Sequence, residues 1–203
     1  MNERLHLNRL PATTQAAEGL PRRRWTVAQI EEMVAKGIIL EDERFELIGG
    51  EIVPMSPKGI RHELVKRELQ KHWFPLVVGS QIELITETTL HIDEDEFREP
   101  DFLFWPASIP LDQVTPAAAL LIVEVADTSL RYDLQTKAPV YARRGVREYW
   151  VIDATTLVTS IHRSPTTEGY PPPHEAGPSD RLEPLLMPQL AVCLTDLGLE
   201  PAA

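Results

Sequence analysis

Three residues of this chain carry a charge in a setting that should exclude one. Glu124 interrupts the run Leu120-Leu121-Ile122-Val123-Glu124-Val125, which reads as a central strand. A carboxylate buried there without a partner is costly, so it needs a cation or a proton. Asp101 opens a second apolar run, ending at Trp105, directly after Glu99-Pro100. Two carboxylates at neighbouring strand ends suit a hard divalent cation with oxygen ligands. The alternative is that each is a structural ion-pair partner or a strand cap. Lys137 lies in a stretch, 130–144, that reads as a helix closed by Gly145. At 100° per residue, positions 4, 7 and 11 beyond Leu130 fall within about 40° of the direction of Leu130 itself. Leu130, Leu134, Lys137 and Tyr141 therefore share one stripe, which should face the sheet. A lysine there either snorkels at an edge or points at an anionic site. Its helix directly follows the Glu124 strand, which brings it back near that carboxylate.

The elements that must position these residues can be read along the chain. Residues 1–24 have the look of a flexible arm ending in Arg22, Arg23 and Arg24. Thr26 with Gln29 forms a capping-box pattern for a short helix closed by Gly37. Segments 44–48 and 51–55 flank Gly49-Gly50, a hairpin signal. After the turn at 57–59 a helix is expected from Ile60 to Trp73, then one strand over 81–92 and an acidic turn at 93–96. The apolar runs 101–105, 119–126 and 148–153 read as strands, with 157–163 placed to pair beside the last. Segment 164–180 is rich in Pro, Gly, Ser and Thr and reads as a loop. Strands apolar on both faces, separated by helices, indicate an α/β fold with a central mixed sheet flanked by helices, plus an N-terminal helix and hairpin. Residues 25–199 then form one domain behind the arm of residues 1–24.

Composition narrows the class. With 203 residues, 43% hydrophobic and 25% charged, the chain can bury a core unaided. No apolar run approaches the roughly 20 residues that span a bilayer, and the first nine residues lack a signal-peptide core. The single cysteine, Cys193, excludes an internal disulfide and a cysteine-based zinc site. A cytoplasmic protein is expected. The net charge of −11 argues against indiscriminate coating of nucleic acid. Its distribution is uneven. Residues 83–101 hold eight acids and one base, whereas 58–71 and 131–148 each hold five bases and two acids. Acidic strands between basic helices would suit a metal site inside a weakly basic cleft; solvated surfaces would give the same counts.

One ordered set of residues is specific. Glu99-Pro100-Asp101, Val123-Glu124-Val125, Asp133 with Lys137 and Tyr141, and Gly145-Val146-Arg147-Glu148-Tyr149-Trp150-Val151-Ile152-Asp153 follow one another at a set spacing. Together with Phe45-Glu46-Leu47-Ile48-Gly49-Gly50-Glu51, Met55-Ser56-Pro57 and His62, this order resembles the Uma-type restriction endonuclease family. That family is a branch of the PD-(D/E)XK nuclease superfamily. The resemblance runs from about Trp25 to Asp153 and weakly to Leu199. It implies a restriction-endonuclease-like core and divalent-metal-dependent cleavage of DNA phosphodiester bonds. It also implies that Asp101 and Glu124 ligate Mg²⁺, with Mn²⁺ as a substitute, and that the Val125 carbonyl assists. The superfamily pattern expects a lysine two residues after the glutamate, where this chain has Ala126. Lys137 is then the migrated replacement, orienting or deprotonating water and offsetting charge on the phosphate.

Further residues follow from the same reading. Glu46 could be an extra carboxylate ligand or a cross-strand ion pair. His62 could contact phosphate or water, or simply cap its helix. Glu87 could join the metal site or stand in solvent. Asp133 is expected as an (i, i+4) partner of Lys137, and Tyr141 as a support for it. Pro139 removes one backbone bond from the Lys137 helix and should kink or restart it, which would favour a catalytically silent relative that only binds nucleic acid or protein. DNA contact is expected through Arg22–Arg24 and the basic stretches 58–71 and 143–147. A homodimer is expected because cutting two strands needs two sites.

Overall fold

In the computed structural model, residues 23–40 and 42–202 are described. The expected arm therefore lies outside the described residues, apart from Arg23 and Arg24. Helix α1 (Val27–Ala35) begins at Thr26, whose hydroxyl accepts from the Gln29 amide while the Gln29 side chain accepts from the Thr26 amide. This is the capping box read from the sequence. Strands β1 (Phe45–Ile48) and β2 (Glu51–Pro54) form the expected hairpin. Gly49 and Gly50 both adopt positive φ, 54° and 79°, as a tight two-residue turn requires. Gly50 is needed twice over, because a Cβ there would lie 2.6 Å from the Arg24 Cβ.

Helix α2 (Ile60–Val77) runs a turn beyond the expected end at Trp73 and carries Pro75 within it. The single strand expected over 81–92 is instead two, β3 (Ile82–Ile85) and β4 (Leu90–Asp93), and they belong to different sheets. Between them Glu87 adopts a left-handed conformation, φ 54°, and its amide donates to the Pro100 carbonyl. The chain then forms β5 (Glu96–Arg98) and β6 (Phe102–Pro106). After β6 comes β7 (Leu121–Ala126), buried throughout. Next, α3 (Leu130–Tyr132), a π-helical turn (Asp133–Lys137) and α4 (Ala138–Arg143) follow one another in helical conformation. Three more strands complete the fold: β8 (Glu148–Asp153), β9 (Thr159–Arg163) and β10 (His174–Ala176). The last lies inside the segment expected to be loop.

One sheet is antiparallel with order β2-β1-β5-β4; α1 covers it through Val27 and Ile30 against Phe45, Leu47 and Phe97. The other is mixed with order β10-β9-β8-β7-β6-β3, and its single parallel pair is β7–β8. A parallel pair needs a crossover, and the α3–π–α4 segment provides it.

Alternation sorts the sheet's two faces. Phe102, Phe104, Val123, Val125, Trp150 and Ile152 face α2 and the C-terminal tail. Trp73 of α2 sits edge-on to Phe102 and Phe104 and donates to the Leu190 carbonyl. Leu103, Trp105, Ile122, Ala126, Tyr149 and Val151 face the crossover, where Ala138 and Tyr141 pack. By the same alternation Asp101 and Glu124 belong to the crossover face.

Candidate active site

β6 and β7 pair antiparallel with Phe102 opposite Val123. One step further along that register sets Asp101 beside Glu124, on one face and at one end of the sheet. Both line a cleft of about 330 Å³, together with Glu46, His62, Asp133 and Lys137. The β1–β2 hairpin, the 55–59 loop and the start of the crossover form its walls.

The crossover delivers Lys137 to Glu124. Its Nζ donates to Glu124 Oε1 at 2.9 Å and lies 3.3 Å from Asp133 Oδ1 and 3.5 Å from Glu46 Oε1. The kink expected at Pro139 does not displace it. The π turn ends immediately before α4, and the Ala138 amide bonds back five residues to the Asp133 carbonyl. That widened turn absorbs the missing Pro139 donor while the backbone stays helical. Lys137 remains buried. Burial alone would discharge it, but Glu124, Asp133 and Glu46 more than reverse that and hold its pKa well above the ordinary lysine value. Burial pushes Glu124 up to about 8; Lys137 opposes the rise, and Asp133 and Asp101 add to it. Tyr141 supports Glu124 rather than Lys137, its hydroxyl donating weakly to the same Oε1 at 3.5 Å. Both contacts fall on Oε1, which leaves Oε2 for another partner.

Asp101 is held differently. Its Oδ2 accepts the Val125 amide at 2.8 Å, and both its oxygens lie 3.0 Å from His62 Nε2. Lys58 Nζ reaches Oδ1 at 2.7 Å. Burial would raise the Asp101 carboxyl, but the His62 hydrogen bond and the Lys58 charge overcome it and keep the group low. His62 thus does not cap α2, whose N-cap is Gly59 without a side-chain bond. Its ring turns into the cleft, with Nδ1 3.0 Å from Glu63. Of Val125, the amide hydrogen is engaged at the site through Asp101.

Glu46 stands in a cross-strand ion pair as well as near Lys137. Its Oε2 accepts from Arg98 of β5 at 3.1 Å and from the Tyr132 hydroxyl at 3.0 Å. Asp133 is the expected (i, i+4) partner of Lys137 and also accepts from Ser129 at 2.6 Å. Glu87 is not a free surface acid: Lys58, Lys66 and Arg44 all contact it, at 2.5, 2.8 and 3.2 Å. Burial would raise it, but the two lysines pull it down to about 2.

Two residues of the site were not singled out by sequence. Lys58 has partners 29 and 43 residues away, a separation at which pattern is silent. A hint existed, since a cation just before a helix N-terminus opposes the helix dipole and needs an acid nearby. Arg98 is the lone base among eight acids over 83–101, and that isolation was its signal. The basic stretch 58–71 is not an open positive face. Lys58 and Lys66 turn inward, Arg61 donates to the carbonyls of Ala154 and Glu200, and Arg67 and Lys71 pair with Glu68. Arg143 and Arg147 are exposed, while Arg144 pairs with Asp93.

Comparison with known proteins bears on the fold and the family. The fold matches a crystal structure described as a putative nuclease belonging to DUF820 from Anabaena variabilis, with TM-score 0.64 and 13% identity, over 85% of this chain and 96% of that one. A type IIG restriction endonuclease, BpuSI, matches over 51% of this chain and 11% of its own, with 19% identity and TM-score 0.33. No curated protein matches. A family model described as "Putative restriction endonuclease" matches residues 28–196. The chain therefore belongs to that family, Uma2, and has its restriction-endonuclease-like α/β fold.

Proposed function

We propose that this protein is a divalent-metal-dependent endonuclease that hydrolyses DNA phosphodiester bonds. The observation that carries the proposal is the 2.9 Å contact between Lys137 and Glu124 in the cleft that also holds Asp101. A buried lysine on a buried carboxylate adds little stability compared with an apolar pair, whereas beside a phosphate it offers a fixed positive charge.

The residues fit a hard cation. Glu46 Oε1 and Asp133 Oδ1 are buried with the Lys137 ammonium 3.5 and 3.3 Å away and no hydrogen bond of full geometry, and Glu124 Oε2 is left over from the Lys137 contact. The donors are oxygens throughout, as Mg²⁺ or Mn²⁺ prefers. Among the described residues no three of His, Cys, Asp and Glu form a ready-made cage. Mg²⁺ needs none, since it retains waters and uses one or two carboxylates with substrate phosphate. Asp101 and Glu124 would hold it, with the Val125 carbonyl as a further donor. When bound, Mg²⁺ supplies a Lewis acid for phosphoryl oxygens and acidifies water.

The chain's own residues do the rest. Lys137 keeps its proton among the acids and offers a fixed ammonium to the charge that grows on the phosphate. His62 and the Val125 amide fix the orientation of Asp101. Glu46 and Asp133 hold Lys137 in place, and Arg98 with Tyr132 holds Glu46. In an acidic chain, DNA would be met by the exposed Arg143 and Arg147 and by the Arg22–Arg24 segment, with affinity falling as salt rises. Cutting both strands would take two copies of the site. Among the described residues no helix is long and apolar enough to cross a membrane.

The test is cleavage of supercoiled plasmid and single-stranded DNA by purified protein with Mg²⁺, Mn²⁺ or EDTA. Cleavage with either metal, lost in EDTA and in Glu124→Gln, is expected. Equal cleavage by Glu124→Gln, or in EDTA, would overturn the proposal.

A further inference from the structure

Asp101 is fully engaged before any ion arrives. Three kinds of donor surround its two oxygens: the Val125 amide, the His62 ring and the Lys58 ammonium. A cation that binds Asp101 must take the place of one of them. The Val125 amide is fixed in the backbone of β7. The His62 ring is buried in α2 and tied to Glu63. Lys58 alone sits at the end of a long, rotatable side chain, on the loop just before α2.

We propose that Lys58 is a displaceable internal counter-ion, standing at the cation position of Asp101 and competing there with the divalent metal. This rests on the metal-dependent reading above. The ammonium lies 2.7 Å from Oδ1, on the lone pairs that a metal would use at about 2.0–2.6 Å. Leaving does not strand it. Lys58 also bonds Glu87 Oε1 at 2.5 Å, and Glu87 lies outside the Asp101–Glu124 pair. That second partner is itself held in place by Lys66 and Arg44 and by the Glu87 amide bond to Pro100. Lys58 can therefore release Asp101 and retain an anionic partner. The exchange takes only a rotation of the lysine side chain. Asp101 stays neutralised in both states, by Lys58 without metal and by the ion with it. The cost is a weaker affinity than the carboxylates alone would give.

Calorimetric titration of Mn²⁺ into wild type, Lys58→Met and Lys66→Met tests this. Lys66 contacts the same Glu87 at 2.8 Å and controls for general loss of positive charge. Lys58→Met should bind Mn²⁺ about tenfold or more tightly than wild type, the scale on which a close like charge acts, and Lys66→Met should gain much less. Independently of any variant's folding, the Lys58 ammonium signal in ¹⁵N-lysine spectra of wild type should move on saturation with Mg²⁺. Unchanged or weaker Mn²⁺ binding by Lys58→Met, an equal gain in Lys66→Met, or a static Lys58 signal at Mg²⁺ saturation would overturn the inference while leaving metal binding itself intact. No binding by wild type or either variant would remove the metal reading, and this inference with it.

Discussion

Metal binding should expel a proton from Glu124. Burial holds this carboxyl at about 8 in the metal-free protein, whereas a ligand to Mg²⁺ must be ionised. Asp101 is already ionised at neutral pH because its pKa is held low, so it contributes no proton. For a group with pKa about 8, the protonated fraction is roughly 0.9 at pH 7 and roughly 0.1 at pH 9. Mg²⁺ binding should therefore release about 0.9 proton at pH 7 and about 0.1 at pH 9, and its affinity should rise about tenfold between them. Calorimetry at each pH, in two buffers of different ionisation enthalpy, reads both quantities. Glu124→Gln should release almost no proton and bind weakly at either pH. Release below about 0.3 proton at pH 7 with flat affinity to pH 9 would show that Glu124 is already charged or is not a ligand.

Lys137→Met leaves Glu124, Asp133 and Glu46 without their shared cation, so urea unfolding at pH 8 should show a loss of about 3–5 kcal/mol; a loss below about 1 kcal/mol would mean that Lys137 does not neutralise them. The pH dependence of stability should have two opposed limbs. Glu87 and Asp101 have depressed pKa values, so their contribution is complete above the ordinary carboxylate range and is lost as pH falls toward 2, whereas Glu124, held up at about 8, withdraws stability as pH rises from 4.5 through 8. Thermal melts across that range should show both limbs, Glu87→Gln should flatten the acid one, and an unchanged acid limb would contradict the ion pairing seen at Glu87. Gly50→Ala should cost about 1–3 kcal/mol, from its positive φ and the contact with Arg24, and a neutral result in the same melts would contradict the turn geometry.

Much of the site was legible because its signals are local. Glu124 stood out as one charge in an apolar strand, and Lys137 as one charge on an inward helical stripe. The break at Glu87 was not legible. The stretches on either side alternate alike, and the left-handed turn between them is stabilised by Lys58, Lys66 and the Pro100 carbonyl, all distant in sequence. Strand β10 was hidden for a similar reason: three residues in a Pro- and Gly-rich stretch gain their structure only by pairing with β9. Pro139 removes a donor, as its type dictates, but a π turn accommodates that loss while the backbone stays helical, and local rules do not say which remedy a helix takes. Charge counts along 58–71 suggested a basic face, yet direction decides their meaning. Lys66 points inward because α2 sets it on the buried side with His62 and Val65.

The metal-dependent reading requires one cation between Asp101 and Glu124. Crystals of the protein soaked in Mn²⁺, with diffraction measured at the manganese absorption edge, would locate it. The prediction is an anomalous peak within about 2.0–2.6 Å of an oxygen of each carboxylate, with Lys58 turned from Asp101 toward Glu87. A fully soaked crystal with no peak at this pair, or with its peak elsewhere on the chain, would contradict it.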